Sequence, residues 1–186
     1  MPLILGLSGS LRKNSHNTAL LRAAGAQLPP GIQFDVYDSL REIPPYDADL
    51  DLGPADAAVA SLRQAIARAD GVLIATPEYN GSIPGVLKNA LDWASRPFPD
   101  NALRGKPVAV IGASTGLFGA VWSQAEARKI LGVIGADVID EELPIGQAGS
   151  AFTDDGALLD PEQRAALVQL VDVLLARAGA QLAQAA

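Results

Sequence analysis

Cysteine is absent from this chain, and histidine occurs once, at His16. Without thiolates, a cysteine zinc site, a cysteine-ligated iron–sulfur cluster, a cysteine nucleophile and a redox dithiol are all excluded. Any electron or hydride transfer would need a borrowed group. Long apolar runs are missing too, since no stretch approaches the roughly 20 residues of a membrane span. A secretory leader would put cations ahead of its apolar stretch, whereas residues 2–7 precede Arg12 and Lys13. The expectation is a cytoplasmic protein with no membrane partner. Positive charge is also scarce, with 14 Lys and Arg against 21 Asp and Glu. That argues for no nucleic acid partner, because nucleic acid and anionic membranes both reward clustered cations.

What is present is the composition of a folded chain: 186 residues, 49 % hydrophobic and 19 % charged. A chain of this length buries about 70 % of its unfolded surface in one core, so residues 1–186 are expected to form a single domain. The net charge of −7 is unevenly spread. Residues 1–34 hold Arg12, Lys13 and Arg22 and no acid, while the remainder holds 11 basic and 21 acidic residues. Chance could produce that bias, and so would an acidic protein that must hold an anionic ligand.

Periodicity alternates strand and helix signals along the whole length. Strands are expected at residues 3–7, 33–38, 72–75, 108–111 and 136–139. Helices are expected at 18–28, 55–69, 86–94 and 119–131, with Ser82 and Pro84 as start signals for the third. A fifth helix opens at Asp160-Pro161, with Asp160 as N-cap and Gln163 placed to close a capping box. The alanine-rich end from 176 to 186 is expected to fray. Five β units alternating with five α units argue an α/β domain, a five-stranded parallel sheet with helices on both faces. Continuous apolar strands with an alternating second strand suit the order 2-1-3-4-5, strand 2 at an edge.

In such sheets ligands bind beyond the carboxyl ends of the strands, and three loops gather there. The first, residues 9–18, offers hydroxyls, Arg12, an amide and a helix start, the donor set a phosphate needs. It lacks the Gly-Lys-[Ser/Thr] of an NTPase loop and the glycine spacing of a dinucleotide fold. The second, residues 76–85, has two prolines and two glycines, giving a backbone-exposed turn that can face a flat heteroaromatic ring, with Tyr79 able to pack on it. The third, residues 112–119, is glycine-rich and permits close backbone approach.

Taken together, Gly9-Ser10-Leu11-Arg12 with Ser15 and Asn17, then Thr76-Pro77-Glu78-Tyr79-Asn80 and Ser82-Ile83-Pro84-Gly85-Val86-Leu87-Lys88-Asn89-Ala90-Leu91-Asp92-Trp93, resemble the NADPH-dependent FMN reductase family. The resemblance runs in register from residue 3 to residue 145 and is nearest to bacterial chromate and quinone reductases. It implies a flavodoxin-like three-layer sandwich, non-covalent FMN, and NADPH or NADH as co-substrate. It further implies ping-pong hydride transfer to a small-molecule electron acceptor such as a quinone, a flavin, an azo compound or chromate. By motif position, Ser10, Arg12, Ser15, Asn17 and Thr18 would hold the FMN phosphate with His16 beside them. Pro77, Glu78, Tyr79, Asn80 and Gly81 would line the ribityl chain and ring, and Ser114, Thr115 and Gly116 the opposite flank. No side chain is assigned a catalytic role. Asn14 and His16 fall at variable positions of the pattern, and Gly81 stands where the chromate reductase branch commonly has a second aromatic.

Other readings are weaker. A flavodoxin-type electron carrier is the alternative, but its phosphate loop usually lacks an arginine and its ring is sandwiched by aromatics. A catalytic triad on His16 lacks a nearby carboxylate in sequence, and Gly112-Ala113-Ser114-Thr115-Gly116 has no histidine after it. Asp47, Asp49 and Asp51 miss the glycine and glutamate spacing of a calcium loop. Trp93, Phe98, Phe118 and Trp122 lie on or beside two helices, as core or as a subunit interface, and the family resemblance implies a homodimer or homotetramer.

Overall fold

A computed structural model describes residues 1–185, with side chains described to Gly179. The strands are β1 (Leu3–Ser8), β2 (Gln33–Tyr37), β3 (Gly71–Thr76), β4 (Pro107–Ala113), β5 (Asp137–Val138) and β6 (Pro144–Ile145). The helices are α1 (His16–Gly25), α2 (Ala57–Arg68), α3 (Gly85–Ala94), α4 (Val121–Ile134) and α5 (Pro161–Ala185). All strand pairs are parallel, in the order β2-β1-β3-β4-β5, the order expected from the apolar pattern.

Strand alternation sorts the core into two layers. Leu3, Leu5, Leu7, Val72, Ile74, Val108 and Val110 pack against α2, α3 and α4. Ile4, Leu73, Ala75, Ala109 and Ile111 pack against α1 and α5. β1, β3 and β4 are buried along their full length, which is why they read as continuous apolar runs.

Several boundaries differ from the sequence reading, each for a local reason. The fifth strand is split: β5 and β6 both pair with β4, on either side of residues 139–143, making a six-stranded sheet. α1 starts at His16 because Ser15 caps it, and ends at Gly25 short of Leu28. α4 starts at Val121, since Gly119 (φ +59°) and Ala120 (φ +63°) occupy the left-handed region and cannot begin a helix. Pro84 is the N-cap residue of α3, and Ser82 makes no cap there. Asp160 accepts from the Glu162 N–H at 2.8 Å, as an N-cap should. The alanine-rich end expected to fray from residue 176 is instead helical to Ala185. Trp93 is core, whereas Phe98, Phe118 and Trp122 are exposed.

β6 leads directly into the segment that braces the loop after β4. Gln147 N–H donates to Gly116 O (2.9 Å), and Ala148 N–H to Ser114 O (2.9 Å). The approach is so close that a Cβ on Gly146 would overlap the Leu117 carbonyl. Gly146→Ala should therefore destabilise the fold by about 2 kcal/mol, the usual size of an overpacking penalty, read as a lower urea midpoint.

Candidate functional site

Parallel strands deliver the loops after β1, β3 and β4 to one end of the sheet. The first loop is drawn against β3 by Gly9, whose N–H donates to Ala75 O at 2.8 Å. A side chain there would press on Leu87 and Pro77 at 3.1 and 3.3 Å, so glycine answers a close approach. Ser15, buried, accepts the Thr18 N–H on its Oγ at 3.2 Å and so caps α1. Among the described residues, no acceptor meets the backbone N–H of His16 or Asn17. Those donors and the positive end of the helix dipole are left for an anion.

Asn17 joins two loops. Its Nδ2 donates to Ala113 O and its Oδ1 accepts from Ala113 N–H, both at 2.9 Å, with the side chain 3 % exposed. Helix α1 is thereby pinned to the last residue of β4.

The second loop is a short hairpin held from behind. Tyr79 and Ser82 exchange backbone hydrogen bonds (3.0 and 3.2 Å) around Asn80 (φ +57°) and Gly81 (φ +75°). Asn-Gly is the pair that supports two successive left-handed residues, the type I′ turn. Behind it, the Glu78 carboxylate accepts from Ser123 N–H (3.1 Å) in the first turn of α4. From the opposite side, Glu126 of α4 accepts from Ile83 N–H (3.0 Å). Ser123 Oγ donates to Pro77 O (2.9 Å) and lies 3.0 Å from Thr76 Oγ1. Hydrogen bonds from the Ser82 hydroxyl and the Ile83 N–H hold the Glu126 carboxyl below the usual carboxylate range.

Between these loops lies a cavity of about 290 Å³, lined by Ser10, Arg12, Ser15, His16, Asn17, Pro77, Glu78, Tyr79, Ala113, Ser114 and Thr115. The structure thus brings ten of the fourteen expected residues to one hollow. Thr18 faces a neighbouring cavity and pairs its hydroxyl with Ser8 at 2.9 Å. Asn80 and Gly81 form the hairpin tip, and Gly116 lies on the side of its loop bonded to Gln147; none of the three lines the cavity. His16 stacks parallel to Phe152, centroids 6.4 Å apart. Burial, then the adjacent Arg12 charge, push its pKa below the ordinary imidazole value.

The sequence reading missed Ala113, Ser123, Glu126 and Phe152. Ala113 acts through its backbone, and Phe152 comes from a segment 136 residues after His16. Neither leaves a local signal. Asp47, Asp49 and Asp51 do not assemble a metal site: Asp51 is paired with Arg63 at 2.8 Å, and no metal-binding cluster occurs among the described residues.

The donor chemistry fits FMN. One end of the cavity carries Arg12, two serine hydroxyls and a helix N-terminus; the other is walled by Pro77, Tyr79 and the backbone of the third loop. A doubly wound parallel sheet with such a cavity at its strand ends defines a flavodoxin-like α/β protein. Residues 2–150 match the family described as NADPH-dependent FMN reductase. The chain belongs to that family, and is an oxidoreductase by class. It is 42 % identical to an NAD(P)H-dependent FMN reductase of Pseudomonas aeruginosa over 172 residues, 92 % of each chain. It is 39 % identical to a 2-hydroxy-1,4-benzoquinone reductase of Burkholderia over 165 residues, 88 % of this chain and 89 % of the other. The solved structure of FerB, a flavoenzyme NAD(P)H:(acceptor) oxidoreductase of Paracoccus denitrificans, superimposes with a TM-score of 0.84. It shares 34 % identity, covering 96 % of this chain and 98 % of that one.

Two outcomes follow. Asn17→Asp sets a carboxylate against the Ala113 carbonyl in a buried place and should cost about 3 kcal/mol, within the range for an unsatisfied buried group, read as a lower urea midpoint. Glu126, with its folded-state pKa depressed, stabilises the fold above its unfolded pKa, and that contribution disappears as pH falls through the lower, folded value. Glu126→Gln should flatten the loss of stability on acidification below 4.5, measured by urea melts across that range.

Proposed function

We propose that this chain reduces quinone-type acceptors with electrons from NADPH or NADH, using FMN held in the 290 Å³ cavity. The observation that carries the reading is the polarity of that cavity. Its basic, hydroxyl-rich end suits a phosphate, and its far end is open beside Tyr79, which is 54 % exposed. FMN, when bound, supplies the hydride chemistry that no side chain here can provide.

The residues have separable tasks. Ser10, Ser15 and the first-turn N–H groups of α1 hold the phosphate, with Arg12 supplying charge. Pro77 and the backbone of Glu78 and Tyr79 position the ring, and preorganised N–H dipoles there favour negative charge on it. Ser114 and Thr115 form the other flank. Glu78 and Glu126 keep the hairpin fixed, so no reorganisation is required on binding. The side chains of Asn17 and Thr18 act by fixing α1, since their polar atoms are already engaged. His16, stacked on Phe152, walls the phosphate end.

The electron-carrier alternative is not favoured. Tyr79 is the only aromatic among the described residues lining the cavity besides the His16 ring, so the ring site is not closed between two aromatics. That leaves room for nicotinamide and acceptor in turn. The whole chain is read as one cofactor-binding domain working in the cytoplasm. It is also read as a homodimer or homotetramer. Supporting this are exposed Phe98, Phe118 and Trp122 and an apolar hollow of about 370 Å³ between α3 and α4, lined by Phe98, Ile130 and Val133 among others. Among the described residues no helix is long and apolar enough to cross a membrane.

The test is optical. Protein reconstituted with FMN should be yellow, and NADPH or NADH should bleach it anaerobically before a quinone restores the colour. Failure to retain FMN, or a colour indifferent to both nucleotides, refutes the assignment. Arg12→Ala should weaken FMN binding about tenfold, the value of one charge-assisted hydrogen bond, measured by flavin fluorescence.

A further inference from the structure

Two hydroxyls lie behind the second loop, outside the cavity. Thr76, the last residue of β3, and Ser123, in the first turn of α4, are both fully buried. A buried hydroxyl is costly unless it finds a partner, and these two find the same one. Thr76 Oγ1 donates to Pro77 O at 2.8 Å, Ser123 Oγ donates to Pro77 O at 2.9 Å, and the two hydroxyl oxygens lie 3.0 Å apart. Two protons thus serve three contacts. In every arrangement that engages both protons, at least one is given to Pro77 O.

The peptide unit that carries this carbonyl also carries the N–H of Glu78. The second loop lines the cavity through Pro77, Glu78 and Tyr79. Proline has no N–H, and the Tyr79 N–H is spent on Ser82 O at 3.0 Å. The Glu78 N–H meets no acceptor among the described residues, so it is the one backbone donor that this wall can offer a ligand. Hydrogen bonds to the carbonyl of a peptide draw charge from its nitrogen and strengthen the N–H as a donor, the cooperative effect known along hydrogen-bond chains in a low-dielectric interior. Ser123 grips the same unit a second time. Its own N–H holds the Glu78 carboxylate at 3.1 Å, which engages that negative charge at the N-terminal turn of α4 and fixes how the peptide is turned.

Hydride transfer moves two electrons and one proton from NADPH or NADH onto a flavin ring, and the oxidised nucleotide leaves. The ring gains electron density in that step, so a strengthened donor beside it favours the reduced form over the oxidised one. We propose that Thr76 and Ser123 are positioning residues that act through the Pro77–Glu78 peptide to raise the two-electron potential of FMN in the cavity. Neither lines the cavity, so neither needs to touch the ring. The inference rests on the FMN-dependent reductase reading above.

Redox titration of the FMN-loaded protein, by anaerobic photoreduction against a reference dye, tests it without either nucleotide. Thr76→Val and Ser123→Ala each remove one hydroxyl and should each lower the potential by about 14 mV, a roughly threefold weaker hold on reduced relative to oxidised flavin. The double variant should lower it by about 30 mV, or tenfold, with oxidised FMN bound as tightly as before by flavin fluorescence. Thr76→Ser keeps the hydroxyl and should keep the potential. If the double variant does not fold, Ser123→Ala compared with Thr76→Ser decides by the same criterion. Unmoved potentials, equal losses of oxidised and reduced flavin binding, or a Thr76→Ser potential as low as that of Thr76→Val would each overturn the inference. Potentials that move as expected in a protein that neither nucleotide reduces leave the inference standing and remove the reductase reading. Wild-type protein that retains no FMN overturns both.

Discussion

A single buried amide decides whether the cavity exists. Asn17 satisfies both backbone groups of Ala113 at the end of β4 while sitting in the first turn of α1. A strand that ends inside a protein leaves polar groups that water cannot reach, and each must find a partner. Here the partner arrives from a helix that packs across β1, β3 and β4 on one face of the sheet. The two walls of the cavity are thereby set at a fixed separation, and the free N–H groups of α1 are aimed from a rigid base. Ser15, Gly9 and the other members of the first loop can do their work only because of that attachment.

The second wall uses the same logic with carboxylates. Glu78 reaches from the hairpin to α4, and Glu126 reaches from α4 back to the hairpin, so each element supplies the acceptor for the other's backbone donor. Ser123 fills the space between them with a hydroxyl shared among Thr76 and Pro77. The hairpin tip, Asn80-Gly81, is the only part of this loop free of such ties. A flat ligand placed on it meets a surface whose shape was settled in folding, which lowers the entropy lost on binding.

Much of this was legible in advance. The apolar runs of β1, β3 and β4 and the alternation in β2 gave the sheet order, because burial on two faces or one leaves a direct mark on composition. The polar loop from Ser10 to Thr18 announced a phosphate end through its donors. What could not be read were interactions made by backbone or across long separations. Ala113 contributes only its peptide groups, and Phe152 meets His16 from a distant segment. The start of α4 was misplaced because glycine and alanine at 119 and 120 say nothing of a left-handed pair. Arg41 stood in an unremarkable loop until the fold carried it to the Leu11 carbonyl of the first loop. The fifth strand read as one element because Ile139 is apolar, though it follows the last ladder residue; Pro144 and Ile145 then resume the edge.

That division of the fifth strand has a bearing on how copies of this chain can meet. An exposed sheet edge is a template for another molecule's backbone, and natural sheets blunt it with short strands, proline and charge. On this side the edge consists of two dipeptides, one of them opening with Pro144, separated by the acidic run Asp140-Glu141-Glu142. A partner strand would find neither a continuous row of donors nor a neutral approach. Self-association by growing the sheet outward from β5 and β6 is thus blocked at the level of backbone chemistry, and the same feature guards the protein against fibrillar stacking from that flank.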